Sequence, residues 1–296
     1  MAVPFEFARE NVALAPLTWY KIGGPARLAL YPRSTDEARE AFAWMAGQRA
    51  PKLILGNGSN VLIADEGFDG IVLITTGLDR IESQGEGAYV VEAGVNLDRL
   101  VGEIMLANNY EGVGPLTGIP GSVGGALYMN AGAGTGSVCQ FVRWVELCES
   151  AAESPANLRR IAMTPALYDY RQQAFCPSGS LILRAAFQFE RSAEDQRAIY
   201  DRYMQRRLDN HPQGDCCGSV FKNPPGDHAG RLIEACGLKG TRCGGAVISP
   251  RHANFIMNEG GATCRDVLSL IALCKRSVSE RFGIELHEEV RVICSK

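Results

Sequence analysis

Short hydrophobic runs separated by glycine-rich turns dominate the first third of the chain, and this pattern predicts β-strands rather than helices. Apolar runs lie at Leu53–Leu55, Val61–Ile63 and Ile71–Ile74. Turn-forming residues separate them at Gly56–Asn60 and Gly67–Gly70. Because each run is too short for a helix and is bounded by glycine, we predict strands joined by tight turns.

The middle of the chain predicts further strands and one helix. Tyr89–Ala93, Val142–Cys148 and Leu181–Phe189 are apolar runs typical of strands. A helix is predicted over Leu97–Asn108, with Asn96 available as its N-cap. The segment between the last two strands is polar and less regular.

The last third of the chain has helical periodicity. A charged helix over Asp195–Leu208 is interpreted as a connector between lobes, and Gly230–Cys236 is a short helix. Thr263 begins a long helix, where Asp266 completes a capping-box-like pair, and Gly283 ends it. Apolar residues recur along this helix every three or four positions and predict one buried stripe: Val267, Ile271, Cys274, Val278 and Phe282.

Strand-like pieces accompany these helices at Ala246–Ser249, Asn254–Asn258 and Glu289–Ile293. This mixture predicts an α+β lobe with helices on one face of a small sheet. A chain of 296 residues exceeds the usual size of a single domain, so we expect two or three packed lobes.

The composition is that of a globular protein and argues against several kinds of partner. Apolar residues make up 46% of the chain and charged residues 21%. The formal net charge is −3 and no run of lysine or arginine exists, which argues against nucleic acid. Met1–Pro16 lacks the apolar core of a secretory signal, and no segment is apolar enough to span a membrane. We therefore predict a cytoplasmic protein without a membrane partner.

The cysteines indicate neither a disulfide framework nor a metal site. The ten cysteines are irregularly spaced in a long chain without a signal, so we expect reduced and mostly buried thiols. His211, Cys216 and Cys217 resemble part of a metal site, but no second pair stands at ligand spacing. No metal is predicted.

Glycine is in excess, with 33 copies that cluster in two stretches. The first stretch, Gly56–Asn60, follows a predicted strand, as a dinucleotide-binding Rossmann turn does. That motif needs a third glycine and a helix directly afterwards, whereas Val61 continues as a strand. The stretch is therefore a loop between strands, either a plain tight turn or an anion-binding nest of main-chain N–H groups.

The second glycine-rich stretch, Thr117–Ala126, is more informative. It combines four glycines with Pro120, which fixes a turn, and Ser122, which adds a hydroxyl. Such a main chain can lie flush against a flat or charged ligand, and the small residues of Met129–Ala133 would leave room for a planar ring system. The alternative is a close-packed turn with no ligand.

Motifs at separate places in the chain carry a resemblance to a known family: Thr18–Arg27, Leu55–Asn60, Gly118–Ala126, Tyr170–Arg171, Cys217–Pro224 and Glu289–Arg291. Together they resemble the UDP-N-acetylenolpyruvoylglucosamine reductases, flavoproteins of the vanillyl-alcohol-oxidase-like superfamily. The match runs from about residue 17 to residue 293. The short spacing after Ser219 is similar to the compact form of the family, which lacks a long tyrosine-bearing insertion.

The resemblance implies an α+β fold with a two-lobed FAD-binding domain and a C-terminal α+β substrate-binding domain. We predict FAD-binding lobes over residues 1–72 and 73–192, and a substrate-binding domain over 193–296 whose last strand carries Glu289. FAD is the implied cofactor and NADPH the implied co-substrate. FAD contacts are expected from both glycine stretches: Gly56, Asn57, Gly58, Ser59, Asn60, Thr117, Gly118, Pro120, Gly121, Ser122, Gly124 and Gly125.

The implied reaction reduces UDP-N-acetylglucosamine enolpyruvate to UDP-N-acetylmuramate during peptidoglycan synthesis. A hydride is added to the β-carbon of the enolpyruvyl ether and a proton to its α-carbon. By resemblance, Ser219 donates that proton, while Arg171 and Glu289 stabilise the enolate-like carboxylate. The pKa of a carboxyl beside another carboxylate is expected to be raised. The chain is expected to act as a monomer on this small nucleotide-sugar substrate, which is contacted by Tyr170, Lys222 and Asn223.

Without the resemblance, each catalytic candidate has a plain interpretation. Arg171 is then a surface arginine after a strand, Ser219 a turn hydroxyl and Glu289 an exposed strand end. Two other functions stay open. An FAD oxidase of alcohols or sugars would not need these three residues together, and a catalytically silent, flavin-containing sensor of a nucleotide sugar would not need to retain them.

The chain also departs from the family's pattern. Gln173 stands where relatives commonly have serine, Gly134 where many have tyrosine, and Asp215–Cys216 replaces a more usual pair. These departures concern the substrate pocket and the flavin edge rather than the three catalytic candidates.

Overall fold

Helices and strands are mixed along the whole chain, as predicted for an α+β protein. The computed structural model describes residues 3–134, 136–151 and 154–294, so the predicted domain ends at residues 1 and 296 lie outside the described residues. Two compact units are present. The first consists of Met1–Glu10, Leu28–Asn57 and Gly70–Arg206, and the second of Asn11–Arg27, Gly58–Asp69 and Arg207–Lys296. The division into residues 1–72, 73–192 and 193–296 stays a prediction.

The strands of the described residues are, in chain order, β1 (Ala8–Ala13), β2 (Pro25–Leu30), β3 (Lys52–Leu55), β4 (Val61–Ile63), β5 (Phe68–Ile74), β6 (Ile81–Gly85), β7 (Ala88–Glu92), β8 (Gly132–Ala133), β9 (Gly136–Ser137), β10 (Val142–Ala151), β11 (Ser154–Ala162), β12 (Tyr168–Asp169), β13 (Gln172–Gln173), β14 (Leu181–Gln188), β15 (Arg242–Cys243), β16 (Ala246–Ile248), β17 (Ile256–Asn258) and β18 (Arg291–Ile293). The α-helices are α1 (Thr35–Ala46), α2 (Leu97–Arg99), α3 (Val113–Leu116), α4 (Val123–Met129), α5 (Gln196–Asn210), α6 (Ala229–Ala235) and α7 (Cys264–Phe282). No helix of this described part is long and apolar enough to cross a lipid bilayer.

The first unit is built around an antiparallel sheet with strand order β11-β10-β14-β7-β6. Helix α1 packs against β10 and β11. It begins at Ser34, whose hydroxyl accepts a hydrogen bond from the N–H of Glu37 and so satisfies one unpaired donor of the first turn. Phe42 on this helix lies in one apolar cluster with Leu181 and Leu183 of β14. The sheet is thus a rigid base for the loops that follow its strands.

The predicted strands around the first glycine stretch are confirmed. Strands β3 and β4 flank residues 56–60, so the chain continues from strand to strand and no Rossmann helix follows the loop. Strand β5 begins at Phe68, inside the predicted turn. The predicted helix from Leu97 is present and is capped by Asn96, but it continues after Arg99 as a π-helical segment that ends at Leu106.

The polar, less regular segment between β10 and β14 contains a strand that the sequence pattern did not reveal. Strand β11 pairs with β10 in antiparallel register, with Val145 opposite Ile161. It lies at the edge of the sheet, and residues 157–160 are exposed. An exposed edge strand needs no alternation of apolar residues, so its polar sequence looks irregular.

The second glycine stretch also contains a helix that the sequence analysis missed. Helix α4 begins after Ser122, whose hydroxyl accepts a hydrogen bond from the N–H of Gly125 at 3.3 Å. Val123, Ala126 and Leu127 are buried at helical spacing. The paired glycines lower helix propensity, so the sequence did not suggest a helix here. A serine followed by apolar residues one, four and five positions later is nevertheless typical of a capped helix.

The second unit contains an antiparallel sheet with order β15-β16-β17, against which α7 packs. Helix α7 confirms its prediction in detail. Thr263 and Asp266 form a capping box, and Gly283 ends the helix with a φ of 66°. Four of the five predicted stripe residues are buried, while Phe282 is partly buried.

The last strand of the second unit differs from its prediction. Strand β18 pairs in parallel with β4, with Arg291 opposite Val61, and does not extend the β15-β16-β17 sheet. It begins at Arg291, so Glu289 precedes the strand instead of lying in it. The reason is local: the N–H of Glu289 donates to the carbonyl of Val220 and not to a neighbouring strand of that sheet.

The cysteines are as predicted. All ten are unpaired thiols, and seven of them are buried. Two of the buried cysteines, Cys139 and Cys148, belong to the first unit. Burial raises the pKa of the Cys139 thiol to about 12 and that of the Cys148 thiol to about 11. Cys139 and Cys148 are therefore packing groups, with little thiolate at neutral pH.

Candidate active site

The two glycine stretches meet in the first unit. A Cβ atom at Gly56 would lie 2.2 Å from the hydroxyl oxygen of Ser122, so only glycine fits there. Gly118 and Gly121 have φ angles of 62° and 134°, which strain any residue with a side chain. Gly56, Asn57 and Gly118 are each partly exposed, so glycine main chain is accessible in both stretches.

The second stretch is fixed by main-chain hydrogen bonds. The carbonyl of Gly121 accepts from the N–H of Leu97 at 2.9 Å, and the N–H of Gly124 donates to Ala93 at 2.7 Å. The buried hydroxyl of Thr117 donates to the carbonyl of Val113 at 3.0 Å. The stretch is therefore preorganised by the protein itself, as a cofactor cradle requires.

Gly58, Ser59 and Asn60 belong to the second unit. Gly58 has a φ of 62°, and a Cβ there would lie 2.2 Å from the carbonyl oxygen of Leu17. The side-chain amide of Asn60 donates to the carbonyl of Glu289 at 3.0 Å. A residue that we predicted for the cofactor thus also supports a catalytic candidate.

Arg171 stands in a tight turn of the first unit. Strands β12 and β13 form a two-residue hairpin whose turn consists of Tyr170 and Arg171. Arg171 has a φ of 53°, a left-handed conformation that is uncommon for residues other than glycine. Backbone strain of this kind persists where the surroundings fix it and is frequent at functional sites.

The guanidinium of Arg171 is oriented by main-chain carbonyls. It donates to the carbonyl of Gly132 at 2.6 Å and to that of Asn130 at 3.5 Å, and it lies 5.1 Å from the ring of Tyr170. Asn130 is buried, and its amide donates to the carbonyl of Asp169 in the same hairpin at 2.8 Å. The Arg171 side chain is therefore held in one orientation, and the position of its positive charge is fixed.

Gly132 lies where two short strands approach each other closely. The carbonyl oxygen of Gly136 lies 2.0 Å from the position that a Cβ of Gly132 would occupy. The close approach of β8 and β9 thus requires glycine at this position, and room for a planar ring system beside Met129–Ala133 stays a prediction.

Ser219 and Glu289 come together in the second unit. Ser219 follows Gly218, whose φ of 79° turns the chain, and precedes Val220. The N–H of Glu289 donates to the carbonyl of Val220 at 2.8 Å. Both Ser219 and Glu289 are half-buried, so the hydroxyl and the carboxyl lie on two paired segments at the edge of the core.

Asn254 braces the serine segment, and the sequence analysis gave it no role. Its side-chain oxygen accepts from the N–H of Phe221 at 2.9 Å, and its amide donates to the carbonyl of Phe221 at 2.9 Å. Its carbonyl accepts from the N–H of Val220 at 2.8 Å. The only sequence signal was a polar residue that begins a predicted buried strand.

The two other candidates of this segment are also placed. The N–H of Lys222 donates to the carbonyl of His287 at 2.9 Å. The side-chain oxygen of Asn223 accepts from the N–H of Ala229 at 3.1 Å, at the start of α6. Asn223 therefore has a structural contact in addition to the substrate contact that we expect.

Beneath the serine segment lies a buried pair of weakly polar groups. Among the described residues, the fully buried hydroxyl of Tyr20 has no nitrogen or oxygen partner, and its polar neighbour is the thiol of Cys217. Burial raises the pKa of both groups, and the carboxyl of Glu289 contributes to the rise at Cys217. Cys217 thus packs below the segment that carries Ser219.

The residues considered for a metal have other surroundings. His211 packs its ring against those of His252 and Phe255, with centroids 5.7 Å and 5.0 Å away. Cys216 is buried in the apolar core of the second unit. In the part of the chain that the structure describes, no three His, Cys, Asp or Glu residues are grouped as a metal site requires.

Comparisons with known proteins agree with this arrangement. Residues 26–152 match the model of an FAD-binding domain, and residues 210–293 match the C-terminal domain of UDP-N-acetylenolpyruvoylglucosamine reductase. UDP-N-acetylenolpyruvoylglucosamine reductase of Chlamydia felis is 36% identical over 98% of this chain and 96% of its own. That of Chloroflexus aggregans is 38% identical over 96% of this chain and 97% of its own.

The chain belongs to the UDP-N-acetylenolpyruvoylglucosamine reductase family.

A solved structure supports the same assignment. The crystal structure of UDP-N-acetylenolpyruvylglucosamine reductase from Thermus caldophilus is 33% identical and superposes with a TM-score of 0.81, over 97% of this chain and all of the other. The predicted α+β fold class is confirmed, with an FAD-binding domain followed by the C-terminal domain of the reductase. As a member of this reductase family, the chain is an FAD-dependent oxidoreductase that uses NADPH to reduce the enolpyruvyl C=C bond of a nucleotide sugar for peptidoglycan synthesis.

The residues present fit FAD. A flat cofactor with a pyrophosphate needs main chain that is exposed, turned sharply and free of bulky side chains. Gly56 and Gly118 provide partly exposed main chain of this kind in the first unit, and Gly56 lies against Ser122 of the second stretch. The main-chain geometry of the two glycine stretches thus fits FAD, the cofactor of the reductase family.

The departures of this chain have local explanations. The amide of Gln173 donates to the carbonyl of Cys176 at 2.9 Å and its oxygen accepts from the N–H of Cys176 at 2.6 Å, which closes the loop after β13. Gly134 has a φ of 64°, and a Cβ there would meet open space. Gln173 is thus accommodated by two hydrogen bonds to Cys176, and Gly134 by a turn that favours glycine.

Proposed function

We propose that Ser219, Arg171 and Glu289 carry out the conversion of UDP-N-acetylglucosamine enolpyruvate to UDP-N-acetylmuramate. The observation that carries this proposal is the 2.8 Å hydrogen bond between the N–H of Glu289 and the carbonyl of Val220, next to Ser219. It places the Ser219 hydroxyl and the Glu289 carboxyl on paired segments. An oxidase of alcohols would not need these two groups.

FAD, when bound, supplies the hydride for the β-carbon of the enolpyruvyl group. Ser219 holds a proton at its hydroxyl and delivers it to the α-carbon. A serine hydroxyl is a weak acid, so its neighbours must stabilise the alkoxide or resupply the proton. Lys222, three residues further on, is the local candidate for this task, whereas Asn223 is proposed to contact the substrate.

Arg171 binds the substrate carboxylate in this proposal. A guanidinium has five N–H donors, so it can hold a carboxylate as well as its two main-chain carbonyls. Since those carbonyls fix its position before substrate arrives, little reorganisation is needed as negative charge develops. Tyr170, whose side chain is 46% exposed in the same turn, is proposed as a substrate contact.

Glu289 acts on the same carboxylate, either by a hydrogen bond from its protonated form or through Arg171. A carboxyl that lies beside a second carboxylate binds its proton more tightly, so substrate binding itself favours the protonated form. Its main chain is fixed from both sides, because its N–H bonds to Val220 and its carbonyl to Asn60.

Cofactor contacts are proposed for the residues of both glycine stretches: Gly56, Asn57, Gly58, Ser59, Asn60, Thr117, Gly118, Pro120, Gly121, Ser122, Gly124 and Gly125. We further propose FAD-binding lobes over residues 1–72 and 73–192 and a substrate-binding domain over 193–296. The enzyme is proposed to be a cytoplasmic monomer without nucleic-acid or membrane partners. Its ten unpaired thiols and net charge of −3 support the compartment and the lack of nucleic acid.

The proposal is tested by separating the two halves of the reaction. Purified FAD-loaded protein is mixed anaerobically with limiting NADPH, and the flavin absorbance is recorded. We expect the colour to bleach and then to return when UDP-N-acetylglucosamine enolpyruvate is added. UDP-N-acetylglucosamine, which lacks the enolpyruvyl group, is the control and should leave the flavin bleached. Bleaching that the enolpyruvyl substrate does not reverse would contradict the proposal.

A further inference from the structure

Two thiols of the second unit lie together outside the proposed active site. Cys264 is the first residue of α7 and is buried, whereas Cys294 directly follows β18 and is exposed. Thirty residues separate them in the sequence. A buried thiol beside an exposed one is an arrangement in which the two thiols can react with each other.

The short segment Ala64–Asp65 holds both cysteines in place. The N–H of Ala64 donates to the carbonyl of Ile293, the residue before Cys294, at 2.9 Å. The carboxyl of Asp65 accepts from the N–H of Cys264 at 2.7 Å. Because adjacent residues anchor the two cysteines, their thiols lie near each other, and the Cys294 thiol contributes to the raised pKa of Cys264.

The anchoring contacts are independent of one another. Ile293 is in register with Ile63 in the parallel pair of β18 and β4. Asp65 also accepts from the N–H of Arg265 at 3.3 Å, so it caps the first turn of α7 with both carboxylate oxygens. The proximity of the thiols is therefore set by a strand ladder on one side and a helix cap on the other.

We propose that Cys264 and Cys294 form a reversible disulfide and that a small-molecule disulfide of the glutathione type is the oxidant. Both thiols belong to the second unit, so the S–S bond would form within one unit of the protein.

The chemistry proceeds in two exchange steps. The thiolate of Cys294 attacks one sulfur of the small-molecule disulfide, whose S–S bond breaks, and a mixed disulfide forms as one small thiolate leaves. The thiolate of Cys264 then attacks the sulfur of Cys294, and the second small thiolate leaves. In total, two protein thiols lose two protons and two electrons, and one small-molecule disulfide becomes two thiols.

The order of these steps follows from exposure. Cys294 is open to solvent and meets the oxidant first. Burial raises the pKa of the Cys264 thiol to about 12, so little of it is thiolate near neutral pH. Closure of the disulfide is therefore the slow step, and its rate is expected to increase as the pH rises from 7 to 9.

The disulfide would tie the start of α7 to the end of β18. It closes a loop that contains all of α7 and the segment with Glu289, and it restricts the unfolded chain. We expect the oxidised protein to unfold at a temperature roughly 5 °C higher than the reduced protein.

The test uses the full-length, FAD-loaded protein incubated with oxidised glutathione at pH 8. Peptide mapping by mass spectrometry is expected to find the Cys264 and Cys294 peptides joined by a disulfide, with two thiols lost and both regained in dithiothreitol. Cys294→Ser and Cys264→Ser should each abolish the linked peptides. Cys236→Ser, at a half-buried cysteine elsewhere in the same unit, is the matched control and should leave them unchanged.

Several outcomes would overturn the proposal. They are glutathione retained on Cys294 without closure up to pH 9, linkage of Cys294 to a different cysteine, and no loss of thiols. If the buried Cys264→Ser variant fails to fold, the exposed Cys294→Ser variant still decides the result.

Discussion

Arg171 and Ser219 are held in place by different means. Arg171 stands in a two-residue turn with a left-handed backbone, and its guanidinium is bound directly by carbonyls of Asn130 and Gly132. The segment of Ser219 is held by its main chain, through the bonds of Val220 to Asn254 and to Glu289. The arginine is thus positioned by contacts of its own side chain, and the serine by its neighbours. Substitutions of neighbouring residues should therefore affect the two sites unequally.

Apart from Ser219→Ala, the largest effect is expected for Arg171→Ala. Loss of a preorganised donor to a developing negative charge should lower kcat/KM for the enolpyruvyl substrate by about 10²–10³-fold. Reduction of the flavin by NADPH should change little. Stopped-flow measurement of the two half-reactions checks this difference.

Two further variants separate the charge of Arg171 from its backbone. Arg171→Lys keeps the charge without the forked geometry and should recover only a small part of the activity. Arg171→Gly should be as inactive as Arg171→Ala but about 1 kcal/mol more stable, because glycine adopts a φ of 53° without strain. Equal activity of the lysine variant and the wild type would show that a defined guanidinium position is unnecessary.

Asn254→Ala tests the support of the serine segment. The variant loses both side-chain hydrogen bonds to Phe221 in a buried place, so the free energy of unfolding should fall by about 1–3 kcal/mol. Reoxidation of the flavin by substrate should slow by about 10-fold, since a small displacement of Ser219 weakens proton transfer. Urea denaturation and stopped-flow absorbance measure the two effects.

The matched control is Asn258→Ala in the same unit. It removes the hydrogen bond to the carbonyl of Tyr20 and those from the N–H groups of Gly260 and Ala262. It should reduce stability without a comparable loss in the substrate half-reaction. A similar kinetic loss in both variants would mean that general destabilisation, and not the support of Ser219, explains the result.

Glu146→Gln tests whether a loss of stability away from the candidate site leaves the activity unchanged. Glu146 is buried in the sheet of the first unit between Arg160 and Arg184, which lie opposite it on the two neighbouring strands. Burial raises the pKa of this carboxyl, but hydrogen bonds from both arginines outweigh that effect and leave the pKa below its usual value. The variant should lose about 1–3 kcal/mol of unfolding free energy at pH 7 and retain its activity.

The pH dependence of this loss has a definite sign. A carboxyl with a lowered pKa in the folded state stabilises the protein above about pH 4.3, its unfolded value, and loses this effect as the pH falls through the folded value. The stability difference between wild type and Glu146→Gln should therefore shrink below about pH 4. A difference that grows with acidity in urea titrations would refute this explanation.

The smallest effect is expected for Tyr20→Phe. The buried hydroxyl has only a weakly polar thiol beside it, so its removal should raise the unfolding free energy by up to about 1 kcal/mol and leave both half-reactions unchanged. A marked loss of stability would show instead that the contact between the phenol and Cys217 helps to hold the Ser219 segment.

The sequence predicted most of what depends on local chemistry. The capping box and apolar stripe of α7 were readable because Thr263, Asp266 and Gly283 act within one helix. The exclusion of a Rossmann turn at Val61 was correct for the same reason. In contrast, β11 and the bond from Glu289 to Val220 depend on partners distant in the sequence, and no periodicity records them.

The candidate site shows the same limit. The resemblance named Arg171, Ser219 and Glu289, but not the residues that support them. Asn130 and Asn254 are isolated asparagines in the sequence, and only the folded chain shows that one braces the arginine hairpin and the other the serine segment.

The most direct test of the account is the pair of half-reactions in Ser219→Ala. Reduction of FAD by NADPH should proceed at nearly the wild-type rate, whereas reoxidation by UDP-N-acetylglucosamine enolpyruvate should slow by about 10²–10⁴-fold, because the proton donor is lost. Ser269→Ala, an exposed serine on α7, is the control and should match the wild type in both steps. Equal slowing of both half-reactions, or unchanged reoxidation, would contradict the role of Ser219 as proton donor.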